Sequence, residues 1–440
     1  MNRREFMRSA AASLAALPLF HIRASALSPN SKLQHASFGA SGQALADLRS
    51  LAKSPYFELR AVAEVDDRML PEVLQHFPGV RIYKDWRQLL ADEADKLDSV
   101  NISVPDHMHA IMTVASMQRG LHVYCQKPLA HNISEVRSME AVARSTGVVT
   151  QMGTQLASMI YERQAVQMIQ DGWIGPIREV HVFSHKTWGD TESRPPHAHP
   201  IPAELDWELW CGVAPKADFV EGYYHPGNWR KRLDYGTGTL GDMGCHIYSG
   251  MFRALGLTQP LAVRSLGRQP NATNWAIDEW IEYRFAGNAL TAGKELKVTW
   301  TDGSLGVPPA IRILTEGILP DQGTVFLGEE GVLLAPHWER AQLFPRERFK
   351  DRRPPRLEPR DHYLDFLNAS RGESVTPIAD FLDYGAPLTE IILLGGIATH
   401  FPAQWLEWDA GRMQFVNHPE ANTHLSRPYR EGWVLEGDLI

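Results

Sequence analysis

Gln34-His35-Ala36-Ser37-Phe38-Gly39-Ala40-Ser41-Gly42-Gln43-Ala44 is a short, partly apolar run that meets two glycines and then turns into a helical pattern. Set against G-x-G-x-x-G, the strand-to-helix turn of dinucleotide sites, Gly39 takes the first place, Ser41 the second and Ala44 the third, with Gly42 added between them. Ala44 is small enough for helix and strand to pack closely, whereas Ser41 stands where the backbone must approach a pyrophosphate. Outward from this turn, apolar runs at 34–38, 58–65, 99–104, 121–125 and 148–152 alternate with helical patterns at 42–52, 107–119 and 134–144. Strands separated by helices of that length predict an α/β unit with a doubly wound parallel sheet.

At the end of the second run, Ala63-Glu64-Val65-Asp66 lies at the distance from the glycine turn where an acid holds an adenosine ribose. Glu64 is the expected partner, with Asp66 as competitor and a solvated turn acid as the plain alternative for both. A carboxylate there accepts bonds from both ribose hydroxyls and repels a 2′-phosphate, so NAD is favoured over NADP.

Two further stretches carry chemistry. Leu121-His122-Val123-Tyr124-Cys125 reads as a buried strand, which puts Lys127 at a strand's carboxyl end, where open α/β sheets bind ligands. In Gly241-Asp242-Met243-Gly244-Cys245-His246, Asp242 and His246 stand four apart on a helical pattern and so share a face. Oxidising a C–OH group needs a base near the oxygen. His246 is the natural base, Asp242 would orient its ring, and Lys127 would stabilise charge on the oxygen. The ordinary readings are a solvated loop lysine, an N-cap aspartate and a packed core histidine.

The order of these features resembles the Gfo/Idh/MocA oxidoreductases, the glucose–fructose oxidoreductase and inositol dehydrogenase family. That family carries Glu-Lys-Pro at the end of a Rossmann strand and an Asp-x-x-x-His pair in a second domain, matched here by Gln126-Lys127-Pro128 and by Asp242 and His246. The segment Tyr224-His225-Pro226-Gly227-Asn228-Trp229-Arg230, followed by Gly236 to His246, looks like the family's exported branch. Gln126 departs from the general motif and removes a formal charge beside Lys127. The resemblance implies an NAD(P)-binding Rossmann domain over 34–155 and a substrate-binding α+β domain over 156–440 with a large, mostly antiparallel open sheet. It also implies a homo-oligomer and a cofactor site that Ser103 and Pro105 line together with Gly39, Ser41, Gly42, Glu64 and Lys127. His107 and His109 read equally well as helix-face residues.

In the second region a helix is expected at 159–169, strands at 177–184, 261–267, 276–285, 295–300 and 323–334, and helices at 362–369 and 384–400. Residues 188–241 are rich in Pro, Trp, His and Gly, as loops that shape binding sites are. Trp207, Trp210, Trp229, Tyr223 and Tyr224 would either stack on sugar faces or pack the loop cluster itself. The histidines and acids around 181–246 match no ligand spacing, so no metal is expected.

Residues 1–26 read as a twin-arginine signal peptide: Arg3-Arg4-Glu5-Phe6-Met7, a short alanine-rich run at 9–20, and Ala24-Ser25-Ala26 as cleavage site. The run is too short to span a membrane, and no later stretch reaches about 18 consecutive apolar residues. A periplasmic or secreted protein is expected, with the twin-arginine export machinery as a partner. Loss of four arginines and one glutamate with the leader takes the formal charge from −8 to −11, which argues against nucleic acid or anionic membrane as partner. The three cysteines cannot all pair. Export separates the protein from free NAD, which leaves three readings in order. The first is an oxidoreductase on a sugar or polyol whose tightly held nucleotide is reoxidised in place. The second is a glycosidase that uses bound NAD for transient sugar oxidation and elimination. The third is a carbohydrate-binding protein whose nucleotide site has decayed, which Ser41 and Gln126 permit.

Overall fold

A computed structural model describes residues 31–435, so the expected leader over 1–26 lies outside the described residues. Strands β1 (Leu33–Phe38), β2 (Phe57–Ala63), β3 (Arg81–Tyr83), β4 (Ser99–Ile102), β5 (His122–Cys125) and β6 (Thr150–Met152) form a six-stranded sheet in the order β3-β2-β1-β4-β5-β6. Every pairing in it is parallel. β4 is buried along its whole length, as parallel strands covered on both faces must be. Its polar residues are satisfied sideways: His35 Nδ1 lies 2.7 Å from Ser99 Oγ and Nε2 3.0 Å from Asn101 Oδ1. The strand order reverses between β1 and β4, and a crevice opens at their carboxyl ends.

The second sheet has nine strands, β7 (Ile177–Ser184), β8 (Ala262–Ser265), β9 (Trp280–Ala286), β10 (Glu295–Asp302), β11 (Gln322–Gly328), β12 (Val332–Pro336), β13 (Gln342–Phe344), β14 (Leu406–Asp409) and β15 (Gln414–Phe415). Their order is β13-β12-β11-β7-β10-β9-β8-β14-β15, antiparallel throughout except where β7 meets β10. The single strand expected over 323–334 is a hairpin instead. Glu329-Glu330-Gly331 reverses the chain, and the Gly328 N–H donates to Gly331 O at 2.9 Å.

The helices Gly238–Leu255 and Ala386–Ala398 pack against each other and both against this sheet, the first on β7 and β11, the second on β8 and β9. Gly244 permits the approach, since a Cβ there would lie 2.7 Å from Ile392 Cδ1. Phe381–Ala398 is long and apolar enough on average to cross a membrane, although Asp383 and Glu390 interrupt it. In the structure 78% of it is buried against the rest of the protein.

The last quarter of the chain returns to the first sheet. Helix His362–Ser370 packs on helix Gln43–Leu51, with the Tyr363 hydroxyl donating to Asp47 at 2.8 Å. Farther on, the Arg87 guanidinium sits 4.6 Å above the Trp433 ring.

Candidate active site

One cleft opens at the switch between β1 and β4 and reaches the second sheet's long helix. Gly39, Ser41, Gly42, Glu64, Ser103, Pro105, Gln126, Lys127 and His246 all line it. Each of the first eight follows the carboxyl end of a parallel strand, and His246 comes from helix Gly238–Leu255.

The glycine turn fits a bound phosphate. Gly39 has φ +100, and a Cβ there would come within 2.6 Å of Ser103 O, so no larger residue takes this place. Helix Gln43–Leu51 starts directly after Gly42 with no side-chain cap and no acid in its first turn. Ala44 N–H bonds back to Ser41 O at 3.1 Å, and the helix's positive dipole end faces the cleft that Gly42 and Gln43 line, the arrangement that holds anions.

Glu64 accepts the Ala40 N–H at 3.0 Å and the Asp66 N–H at 3.1 Å, and burial pushes its carboxyl up to about 6. Of the two competing acids it is the one that lines the cleft. Asp66 is wholly buried and spends its oxygens on Arg68, at 2.6 and 2.8 Å, and on His225 Nε2, at 2.9 Å. Ser103 lines the cleft while its hydroxyl donates to Asp47 at 2.7 Å.

Gln126 also turns to Asp47. Its Nε2 donates to the two carboxylate oxygens at 3.2 and 2.9 Å. Asp47 is buried and collects further donors from Gln43 and Tyr363. A glutamate at 126 would set a second carboxylate against the first, so the amide is the residue this environment calls for.

Lys127 donates from Nζ to Asp242 O at 2.7 Å and to Asp242 Oδ1 at 2.9 Å. The same Oδ1 accepts Arg230 Nε at 2.9 Å. Burial alone would raise the Asp242 carboxyl, but Lys127 and Arg230 beside it hold it well below the usual carboxylate range. The expectation that Asp242 orients the His246 ring is not met: both cations bond its Oδ1, and no hydrogen bond joins the carboxylate to His246 among the described residues. His246 Nδ1 is buried without a hydrogen-bond partner among the described residues. Burial, helped by Lys127 and His337, keeps this imidazole far below its usual pKa and thus neutral.

Arg230, lying in the quoted segment but given no role there, is the main residue that sequence reasoning missed. Its guanidinium stacks 4.3 Å from the Trp229 ring and 5.4 Å from Trp188. His109, which reads in the sequence equally well as a helix-face residue, is buried. Its Nδ1 lies 2.7 Å from Pro128 O and its Nε2 2.8 Å from Val104 O. Carbonyls only accept, so both ring nitrogens carry protons and the ring is a buried imidazolium. Burial would lower its pKa, but the Cys125 sulfur, the Asp106 carboxylate and the Pro128 carbonyl push it up to about 9.

The aromatic residues of the 188–241 stretch divide. Trp207, Trp210, Tyr223, Tyr224, Trp229 and Tyr235 form one buried cluster in which Trp207 and Trp210 stack at 4.6 Å. Only Trp210 and Trp229 of these reach the cleft wall, so packing is the role of Trp207, Tyr223 and Tyr224. The stretch is also stitched to the cleft's rim: the Asp67 N–H donates to Glu204 O at 3.1 Å, and the Asp206 N–H to Val65 O at 2.9 Å. Cys125, Cys211 and Cys245 are all buried and free. Among the described residues no group of three or more His, Cys, Asp or Glu side chains is set to hold a metal ion.

Residues 36–154 match a sequence model described as an oxidoreductase family with an NAD-binding Rossmann fold, and residues 166–289 match that of an oxidoreductase-family C-terminal alpha/beta domain. Levoglucosan dehydrogenase of Pseudarthrobacter phenanthrenivorans is 22% identical over 225 residues, 51% of this chain and 46% of that protein. The 1,5-anhydro-D-fructose reductase of Ensifer adhaerens is 33% identical over 87 residues, 20% of this chain and 26% of that one. The chain thus aligns with less than half the length of these curated relatives. An inositol dehydrogenase homologue from Azotobacter vinelandii, solved with NADH and myo-inositol, shares the fold with a TM-score of 0.56 at 19% identity, over 86% of this chain and 98% of that one.

Proposed function

The chain belongs to the Gfo/Idh/MocA oxidoreductase family, and from that membership we propose that it oxidises a hydroxyl of a sugar or polyol with a tightly held NAD as acceptor. The observation that carries the reading is that one cleft joins an open helix N-terminus behind Gly39 to Lys127, Arg230 and His246. Gly39, Ser41 and Gly42 would seat the pyrophosphate, Glu64 the ribose, and Ser103, Pro105 and Lys127 the remainder. When bound, the nicotinamide dinucleotide supplies the acceptor for the hydrogen and electron pair that leave carbon.

The chain's own residues handle the oxygen. Neutral His246 takes the hydroxyl proton, and Lys127 and Arg230 stabilise the negative charge that develops as it leaves. A ring kept as unprotonated as His246 is a weak base, so much of the work falls on the two cations. Asp242 acts as a positioning residue for both, holding Lys127 at 2.9 Å and Arg230 at 2.9 Å. The stitching of 204–206 to 65–67, with the His225 to Asp66 bond at 2.9 Å, supports slow release of a nucleotide seated behind it. Tight holding suits the periplasmic or secreted location that the leader predicts, where no free NAD is at hand. A homo-oligomer built on the open face of the nine-stranded sheet is part of the same reading.

Denaturing purified full-length protein should release NAD and little NADP. The Glu64→Ala variant should bind NAD more weakly and narrow the preference over NADP. Protein folded in the cytoplasm that releases neither nucleotide would count against the oxidoreductase reading and for the carbohydrate-binding one.

A further inference from the structure

The loop that carries Lys127 is fixed by a residue that no step of the reaction touches. His109 opens helix His109–Gln118 and is only 1% exposed. Its ring nitrogens reach two different loops, Nδ1 to Pro128 O at 2.7 Å and Nε2 to Val104 O at 2.8 Å. Val104 lies after β4 between Ser103 and Pro105 in the cleft wall, and Pro128 lies after β5 directly behind Lys127. Both acceptors are carbonyls, so the clamp closes only with a proton on each nitrogen. A neutral ring would turn a lone pair toward one of them and release that loop.

Pro128 has no N–H to give, so its carbonyl is the backbone group through which this stretch can be held. On either side, the Gln126 N–H donates to Ile102 O at 2.9 Å and the Leu129 N–H to Thr389 Oγ1 at 3.3 Å. Between these bonds, His109 fixes the point from which Lys127 reaches Asp242. The same turn of chain also ties the opposite wall. Asp106, three residues before His109, accepts the Thr237 hydroxyl on Oδ2 at 2.6 Å, and Thr237 caps the helix that carries Asp242 and His246. The ionisable groups facing the ring are Asp106 and His107 on its own turn and Cys125 from β5. Burial opposes a charge on the ring, but Cys125, Asp106 and the Pro128 carbonyl outweigh it and push His109 up to about 9. His107 adds no charge, because burial and Arg427 push it down to about 3. Lys127 and Arg230 act on Asp106 in turn.

We propose that His109 is a positioning residue for the reaction: as a buried imidazolium it holds the Lys127 loop so that the ammonium meets the substrate oxygen. It thereby enters the rate without touching substrate or nucleotide. The proposal rests on Lys127 acting at that oxygen. Reaction rates fall steeply when a charged group is displaced by even about 1 Å, so a clamp on the neighbouring carbonyl has a kinetic signature of its own.

The test uses the full chain with its bound nucleotide and the variant His109→Gln, which offers one amide donor group in place of the charged ring. Single-turnover reduction of the nucleotide by a sugar should slow roughly 100-fold, with nucleotide retained and the half-saturating sugar concentration changed less than about threefold. In a Lys127→Met background the same change should cost less than about threefold, because residues that act as a unit are not additive. Equal slowing in both backgrounds, or no slowing in either, would overturn the proposal. Should His109→Gln not fold, the wild type decides. NMR of labelled histidine should show a ring with two N–H groups at neutral pH, and the single-turnover rate should fall as that ring titrates near 9. A ring with one N–H, or a rate that stays level while the ring titrates, overturns it. If no sugar or polyol reduces the nucleotide, the oxidoreductase reading fails separately. The clamp is then read from the Cε signal of Lys127 in protein made with labelled lysine, assigned by its loss in Lys127→Met. That signal should shift in His109→Gln, and an unmoved signal overturns the clamp.

Discussion

Gln126 beside Asp47 accounts for a residue that, in sequence, reads only as a departure from a motif. The motif's usual glutamate would face a buried carboxylate that already takes two bonds from the Gln126 amide, at 2.9 and 3.2 Å. Gln126→Glu should therefore destabilise the protein by about 1–3 kcal/mol or more, from lost donors and like-charge repulsion. Adding Asp47→Asn should recover much of that loss, because the amide then stands on the other side of the pair. Urea midpoints of the four proteins in the cycle measure the coupling. Two costs that simply add would show that the residues do not act on each other. The long separation of 47 from 126 is why no local pattern reveals the pair, whereas Lys127 and His246 are legible from their places after a strand and on a helix. The Asp242 partner is misread for a related reason. Spacing of four puts Asp242 and His246 on one face, but two cations from outside the helix compete for the carboxylate and win.

At the scale of elements, β9 and β10 carry a buried acid pair at their shared end. Asp302 Oδ1 accepts the Glu279 N–H at 2.8 Å, and Oδ2 accepts Trp300 Nε1 at 3.2 Å. Burial pushes the Asp302 carboxyl up to about 7 and raises Glu279 as well. The folded protein thus holds a proton that the unfolded chain, with its aspartate near about 3.9, releases. Stability should fall as pH rises from about 4 to about 7, and go on falling more gently above that while Glu279 keeps its proton. Asp302→Asn should flatten that fall and leave the variant more stable than wild type at alkaline pH. Identical pH slopes for the two proteins in urea unfolding would refute a proton held at Asp302. The strands themselves were largely legible, since β1, β2, β4, β5, β7 and β10 follow apolar runs bounded by polar residues. β3 was not, being three residues long with an exposed arginine at its start. The β11–β12 hairpin was missed because its two-glutamate turn lacks the usual Asn-Gly or Asp-Gly signature.

At the scale of the molecule, the parallel sheet supplies the nucleotide half of the cleft, and helix Gly238–Leu255 brings the second half to it. The alternation of strands and helices makes the first half readable. The closing contacts are not, because Arg230, His225 and residues 204–206 come from a stretch without periodicity that is ordered by packing against the aromatic cluster around Trp210 and by bonds to residues distant in sequence. The central claim is that this cleft oxidises a carbohydrate hydroxyl with His246 as base and Lys127 and Arg230 as its electrostatic support. Single-turnover reduction of the bound nucleotide on adding sugars or polyols, followed by nicotinamide absorbance in wild type and His246→Asn, tests it most directly. The account predicts reduction in wild type and a roughly 100- to 10,000-fold slower reaction in the variant, with nucleotide still bound and the fold intact. A His246→Asn protein that reduces its nucleotide at the wild-type rate would contradict it.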